Sequence, residues 1–482
     1  MEAQRLNPAS LAVLPAGVDR PAYERAELQT GIVHLGIGAF MRAHLAPATE
    51  AAIAAGNDRS WGIAGVSLRS AETHAALAPQ EGLYTLALRD AAGQRLQVLG
   101  CVTALLVAPE DPRAVLERIA APATRIVSLT VTEKGYCHDP ASGALRLDHP
   151  DIVHDLAHPE APRSAPGYLL HGLALRRARG LGGVALLSLD NLPANGRLLR
   201  RALLSLADAQ DPTLAAWIGA ACSFPCSMVD RIVPRTTDAD RDDVSAALGR
   251  RDAWPVVAEP FFDWAVEDDF VAGRPDWTRY GARCVAAAEP WEQLKLRMVN
   301  GTHSAIAYLG VLAGWPTVDA ALAQAPLRRH LEKLMRAEIA PTLPALPGLD
   351  PTAYQAQLLQ RFANPALAHR TLQIAMDGSQ KIPQRWLNTL RDRLAAGASI
   401  ERLALGLAAW LLYLGGVDEQ GQRYRIDDPL AAELTRMPPV ELLAYAPVFG
   451  DLAGRPALVD PVLAALETLR AHGVLATLEA LP

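Results

Sequence analysis

The chain has 482 residues, half of them hydrophobic and a fifth charged, which describes a folded globular protein too long for one ordinary domain. A formal net charge of −6 excludes a broadly basic surface for nucleic acid. No stretch approaches the roughly 20 apolar residues of a membrane span.

The first half alternates strand-like and helix-like segments. Gly31–Gly38 is short, apolar and β-branched, and ends in glycines. A helix is expected from Phe40 to about Ala55, and a second strand over Trp61–Leu68. LYTLALRDAAGQRLQVLG places a polar turn between two alternating runs and reads as a β-hairpin. DPRAVLERIA reads as a short helix with Asp111 as its cap and Pro112 at its first position. Arg125–Gly135 reads as a buried strand, APGYLLHGLALRRARG as a helix and Gly183–Asn191 as a further strand, followed by a Pro-Ala-Asn-Gly stop and a new helix. This alternation predicts an α/β fold with a parallel sheet covered on both faces.

From about Trp291 onward the apolar residues recur at helical spacing, as in Val318–Ile339, Ile400–Leu414 and Pro461–Leu469. Two domains are expected: a dinucleotide-binding domain over residues 1–290 and a mostly α-helical domain over 291–482. The N-terminal stretch lacks a basic start followed by an apolar core, so no secretory signal is expected. The five cysteines, Cys101, Cys137, Cys222, Cys226 and Cys284, are sparse and odd in number, which points to a reducing compartment, the cytoplasm. Cys222 and Cys226 have no second Cys or His pair nearby, so no metal site is expected.

Gly36-Ile-Gly38-Ala-Phe40 stands where the first strand gives way to the first helix. A dinucleotide turn needs free φ and close backbone approach to the pyrophosphate, and the helix N-terminus adds partial positive charge. Met41 occupies the place of the third glycine of the usual motif, and an ordinary glycine turn has the same appearance. Arg42 could meet a phosphate; Arg42 and His44 equally fit plain surface positions. The acidic residue expected on the ribose hydroxyls is not obvious. The second strand ends in Ser67-Leu68-Arg69-Ser70, where Arg69 is a candidate for a 2′-phosphate or for stacking on adenine. NAD is the expected cofactor, with NADP left open.

The segment Trp291–His303 concentrates polar chemistry in an apolar, helix-like run. On a continuous helix, Lys295, Asn300 and His303 fall within about 140° of arc and can face one cavity. Burial disfavours a lysine's charged form, which makes its amine a usable base. A solvated lysine, a capping asparagine and a core histidine fit the same pattern. Asn191 ends a strand at the rim where open α/β sheets bind ligands, so Asn191 and Asn300 can both donate to a developing alkoxide. Asp377-Gly-Ser-Gln-Lys-Ile-Pro383 reads as a capped helix start that also presents Lys381. Lys381 and Arg385 are one turn apart and can share a face; an exposed surface position fits Arg385 equally.

These elements, with Thr130-Val-Thr132-Glu-Lys-Gly135-Tyr136, Asp190-Asn191-Leu-Pro193-Ala-Asn195-Gly196, Met228-Val-Asp230-Arg231 and Lys295-Leu-Arg-Met-Val-Asn300-Gly-Thr-His303, resemble the mannitol dehydrogenase family in order and spacing. Phe362-Ala-Asn-Pro-Ala-Leu and Gln373–Arg385 resemble its branch acting on D-mannonate and D-fructuronate; mannitol enzymes typically carry an arginine where Gln373 stands. Met41 departs from the family, which has histidine there. The resemblance implies a Rossmann-type N-terminal domain, a helical C-terminal domain, an active site between them and no metal. It implies Lys295 as catalytic base, Asn191 and Asn300 holding the reacting oxygen, and His303 orienting the substrate. Lys381, and secondarily Arg385, would bind the far end of the substrate, with Gly36, Gly38, Phe40, Arg42, Arg69 and Asp230 on the cofactor. The implied activity is an NAD(P)-dependent dehydrogenase acting on a small sugar acid. A polyol dehydrogenase of the mannitol/fructose type is the alternative, and a non-catalytic NAD-binding protein a third reading. Neither nucleic acid nor membrane is expected as a partner.

Overall fold

A computed structural model describes residues 4–56, 58–139, 143–367 and 369–481. The chain divides into two compact units, Met1–Glu289 and Pro290–Pro482.

The first unit is built on five parallel strands: β1 (Thr30–Leu35), β2 (Gly62–Ser67), β3 (Val102–Val107), β4 (Ile126–Leu129) and β5 (Ala185–Ser188). Their order, β3-β2-β1-β4-β5, is that of a dinucleotide-binding sheet. Ile32, Val33 and Leu35 are all buried, because helices cover both faces and alternation is lost. On one face lie α1 (Ala39–Ala43) and α2 (Leu45–Ala55), and on the other α3 (Pro112–Ile119), α4 (Ala165–Ala178) and α5 (Asn195–Gln210). The expected cap of α3 is present, Asp111 accepting from the Ala114 amide at 2.9 Å. The expected hairpin pairs Tyr84–Asp90 with Gly93–Leu99. Strand β6 (Ser227–Asp230) runs antiparallel to Asp263–Glu267 in a small separate sheet.

Four local expectations are corrected. The helix from Phe40 is broken at His44 (φ −125°, ψ −75°). Pro47 has no N–H for the Ala43 carbonyl, which instead accepts from the Arg231 guanidinium at 2.6 Å. Strand β4 ends at Leu129, since Thr132 turns the chain at φ +64° into a short 3₁₀ turn over Glu133–Tyr136. Asn195 and Gly196 open α5 rather than stopping the chain before it. Strand β3 was not foreseen as a strand separate from the hairpin.

The second unit is helical; among its described residues only isolated β-bridges occur, at Thr317–Arg370 and Val417–Arg423. Its centre is α6 (Gly301–Leu312), packed on Thr371–Ala375 and on α7 (Glu401–Tyr413), which in turn packs on α8 (Pro456–Ala480). The expected single helical stretch over 318–339 is three pieces, Val318–Leu322, Ala325–Lys333 and a π-helical Leu334–Ile339. A second π segment, Pro383–Leu387, and a third, Lys295–Asn300, pack together, and Lys295–Asn300 also packs on Leu334–Ile339.

Glu338, on the first of these π segments, is buried and accepts from the amides of Arg402 at 2.7 Å and Leu403 at 2.9 Å. It thereby satisfies the orphan donors that open α7 and meets the positive end of its dipole. Glu338→Ala is expected to cost about 1–3 kcal/mol by leaving both amides unpaired. The check is the denaturant midpoint at unchanged slope; a midpoint equal to wild type would remove this role.

Candidate active site

The glycine turn after β1 is shaped by close packing. Gly36 holds φ +96°, and a Cβ there would come within 2.2 Å of the Thr130 carbonyl oxygen. Its amide donates to Val66 O at 2.9 Å, and its carbonyl accepts from the Thr130 hydroxyl at 2.7 Å. His34 braces the same point, with Nε2 2.9 Å from Thr130 Oγ1 and Nδ1 2.8 Å from Ser128 Oγ. Burial drives the His34 pKa down to about 3, so this imidazole is a neutral strut. Gly38 is different: a Cβ there meets only Gly36 O, at 3.8 Å. The backbone at Gly38 is therefore open to a ligand.

The turn opens into a cavity of about 350 Å³ at the carboxyl rim of the sheet, lined among others by Gly36, Gly38, Arg69, Thr132, Lys134 and Arg163. A pyrophosphate fits this donor set: bare glycine backbone at a helix start, with cations beside it. Of the predicted cofactor residues, Gly36, Gly38 and Arg69 are brought together here, while Phe40, Arg42 and Asp230 do not line the cavity. The expectation for Arg42 is corrected. Arg42 is buried, donates to the Trp254 carbonyl at 2.5 Å and stands over the Tyr84 ring at 5.3 Å. It is neither at a phosphate nor on the surface. His44 is likewise buried, with Phe40 stacked on it at 4.9 Å. Met41 faces the core, so its departure from the family pattern does not reach the cavity. Asp230 ends β6 opposite Asp263.

One wall of the cavity is strained backbone. Thr132, at φ +64° and ψ +168°, occupies a region normally left to glycine. Buried Asp190 pins it, accepting from the amides of Val131 at 3.1 Å and Thr132 at 2.9 Å and from the Tyr136 hydroxyl at 2.7 Å. Burial pushes the Asp190 carboxyl up, and the Tyr136 hydrogen bond opposes this. Asn195 Nδ2 fixes the next turn, donating to the carbonyls of Ser227 at 2.8 Å and Asp190 at 3.0 Å. Asn191, exposed, projects from this braced turn just beyond β5.

In the second unit Lys295 is buried at 7% exposure on the π segment Lys295–Asn300. The continuous α-helix assumed from spacing is therefore corrected: the hydrogen-bond register changes between Lys295 and His303. π turns of this kind are frequent at functional sites. Arg297 ties the segment down, donating to the Thr342 carbonyl at 2.9 Å and pairing with Asp392. The Trp386 indole donates to Gly301 O at 3.0 Å.

Asn300, His303, Lys381 and Arg385 form one cluster. The His303 ring stacks on Phe362 at 4.3 Å and lies edge-on to His369 at 5.4 Å. Arg385 donates to Ser304 Oγ at 2.9 Å and lies 3.4 Å from the Asn300 carbonyl, so it is not on an exposed helix face. Lys381 Nζ donates to the Met376 carbonyl at 2.6 Å and lies 3.4 Å from that of Ile374. Burial brings its pKa down to about 8, Arg385 acting in the same direction and Asp377 against it. His369, whose pKa is lowered by burial and by Lys381, was missed from sequence. It lies between two of the quoted stretches, Phe362–Leu367 and Gln373–Arg385, but belongs to neither, and no spacing marks it. Its buried Nδ1 has no hydrogen-bond partner among the described residues.

Among the described residues no group of three or more His, Cys, Asp or Glu stands close enough to hold a metal ion. No described helix is long and apolar enough to cross a membrane, and all five cysteines are free.

The mannitol dehydrogenase Rossmann domain matches residues 30–279, and the mannitol dehydrogenase C-terminal domain matches residues 287–470. The chain is 46% identical to the D-mannonate oxidoreductase of Escherichia coli over 424 residues, 87% of each protein. It is 39% identical to a mannitol 2-dehydrogenase of Phaeosphaeria nodorum over 483 residues, 98% of this chain and 85% of that one. Among solved structures, the Pseudomonas fluorescens mannitol 2-dehydrogenase in ternary complex with NAD and D-mannitol matches with a TM-score of 0.86 and 38% identity over 99% of both chains.

Proposed function

We propose that this chain, which belongs to the mannitol dehydrogenase family, is an NAD-dependent oxidoreductase that interconverts D-mannonate and D-fructuronate. The observation that carries the sugar-acid reading is the pair Lys381 and Arg385. Both are partly buried beside the helix of Asn300 and Ser304, and burial, with Arg385 adding to it, depresses the charged form of Lys381. A carboxylate placed there relieves that repulsion, whereas burying one without a partner is costly. The similarity to the E. coli D-mannonate oxidoreductase supports the same reading. The polyol alternative, D-mannitol and D-fructose, is supported by the D-mannitol bound in the Pseudomonas structure.

NAD, when bound, takes or returns the hydride at its nicotinamide ring. The remaining work belongs to this chain. Lys295 removes the hydroxyl proton in the oxidative direction and returns it to the carbonyl oxygen in the reductive one. Asn191 and Asn300 donate to the oxygen as negative charge grows on it. His303, held against Phe362, orients the sugar, and Lys381 with Arg385 receives the carboxylate. The deciding measurement compares kcat/KM for fructuronate, tagaturonate and fructose with NADH. Fructuronate is expected to lead fructose by about tenfold or more, the worth of one charge-assisted bond. A preference for fructose would put the polyol reading in its place.

The Lys381 pKa of about 8 gives this a pH signature. Above that value the ammonium is lost and the carboxylate loses its partner. The fructuronate-to-fructose ratio of kcat/KM should therefore fall as pH rises from 7 to 9, while steps common to both sugars cancel in the ratio. Lys381→Met should lower the ratio at pH 7 and flatten its pH profile. A wild-type ratio independent of pH would assign Lys381 to the fold alone.

A further inference from the structure

Three cations line the dinucleotide cavity, and the location of one of them is informative. The carboxyl end of β2 is where an acidic side chain would hold both ribose hydroxyls of an unphosphorylated dinucleotide and repel a 2′-phosphate. Here the chain leaves β2 as Ser67-Leu68-Arg69-Ser70, and Ser67, Arg69, Ser70 and Thr73 all line the cavity. No acid stands among Ser67–Ser70, and Glu72, which follows, does not line the cavity. Lys134 and Arg163 line the same cavity, and neither they nor Arg69 forms an ion pair with any described residue. One carboxylate, Asp151, faces these three cations; it lies 3.9 Å from His149 Nδ1. The three cations are gathered locally, on a chain whose formal net charge is −6.

We infer that the adenosine end of this cavity accepts a 2′-phosphate, so that the protein binds the phosphorylated dinucleotide NADP(H) as well as NAD(H). Arg69 is the group that meets the phosphate, with the hydroxyls of Ser70 and Thr73 as further donors. A guanidinium suits this task, because its fork matches two phosphate oxygens at once and its charge does not titrate near neutrality. Exposure of Arg69 keeps the arrangement inexpensive when the phosphate is absent: solvent then hydrates the guanidinium, and the ribose of NAD keeps its hydroxyls free for the same serine and threonine. The inference rests on the dinucleotide reading above and extends it to the class of dinucleotide.

The test is equilibrium binding, followed by energy transfer from protein tryptophan to the reduced nicotinamide. NADH and NADPH are titrated into the wild-type protein and into Arg69→Ala and Arg69→Asp, with adenosine 2′,5′-bisphosphate and AMP as competitors. The expected result is an NADPH Kd within about tenfold of the NADH Kd, and tighter competition by the bisphosphate than by AMP. Arg69→Ala should raise the NADPH Kd by about tenfold or more relative to that for NADH, and Arg69→Asp by more still. NADPH affinity should also fall more steeply with salt. If NADH binds and NADPH does not, or if Arg69→Ala weakens both alike, the 2′-phosphate site is overturned and the oxidoreductase reading stands. If neither dinucleotide binds, both fall together.

Discussion

Lys295→Ala is expected to lower kcat by about 10²–10⁴-fold, the usual worth of a positioned acid or base. NADH affinity should change little, since Lys295 belongs to the second compact unit and the dinucleotide cavity is lined by the first. The separation of the two effects is the informative part. A residue that merely holds the fold would lower thermal stability and cofactor binding together with turnover. Lys295 is buried, so its replacement also removes packed methylenes, and a drop in Tm by itself says nothing about the mechanism. Lys295→Met keeps that packing without the amine and separates the roles: a stable, NADH-binding, inactive Lys295→Met protein supports the general acid/base assignment. Retention of more than about a tenth of wild-type kcat by either variant would refute it.

Gly36→Ala should be among the most damaging small substitutions in the first unit. Its Cβ would lie 2.2 Å from a backbone oxygen, Thr130 O, and the residue would have to hold φ +96°. Backbone strain and overpacking each cost about 1–3 kcal/mol, so a combined loss of roughly 2–6 kcal/mol is expected. Gly38→Ala is the paired control. Its Cβ meets only Gly36 O at 3.8 Å, and its φ of −86° suits any residue. That variant should fold with near-normal Tm yet bind NADH at least about tenfold more weakly, because the methyl occupies space left for the pyrophosphate. If Gly38→Ala bound NADH normally, the turn would be an ordinary glycine turn and the cavity would need another occupant.

What could be read in the sequence was what local chemistry determines. Asp111 and Pro112 announced a helix start because a cap needs only its own next three residues. The apolar run of β1 and the hairpin from Tyr84 were legible for the same reason. The break at His44 had a local mark in Pro47, which lacks the N–H for the Ala43 carbonyl; what no local pattern shows is that Arg231 supplies the missing donor across 188 positions of chain. Arg42 misled in the same way: its position after the glycine turn suggested a phosphate, but Trp254 and Tyr84 claim it. Strand β3 was overlooked because only Gly100 and Cys101 separate it from the hairpin, with no run of turn residues to mark a new element. Lys295, Asn191 and Lys381 stood out through the order of the motifs around them. Composition alone left each with an ordinary structural explanation. The Asp190 brace on strained Thr132 was hidden altogether, since nothing in the letters Thr-Val-Thr-Glu shows a positive φ.

The π turn between Lys295 and Asn300 holds one more residue than the α-helix on either side would need. If those residues rewound as α-helix at the same length, the surplus residue would swing Asn300 and His303 by about 100° against Lys295 without altering a single side chain. Geometry at this place is thus stored as an integer. Point substitutions can adjust strength or charge in gradual steps, but the bearing of the base relative to its neighbours changes only by whole-residue jumps. The winding of this stretch therefore sets the bearing of the base as surely as its side chains do.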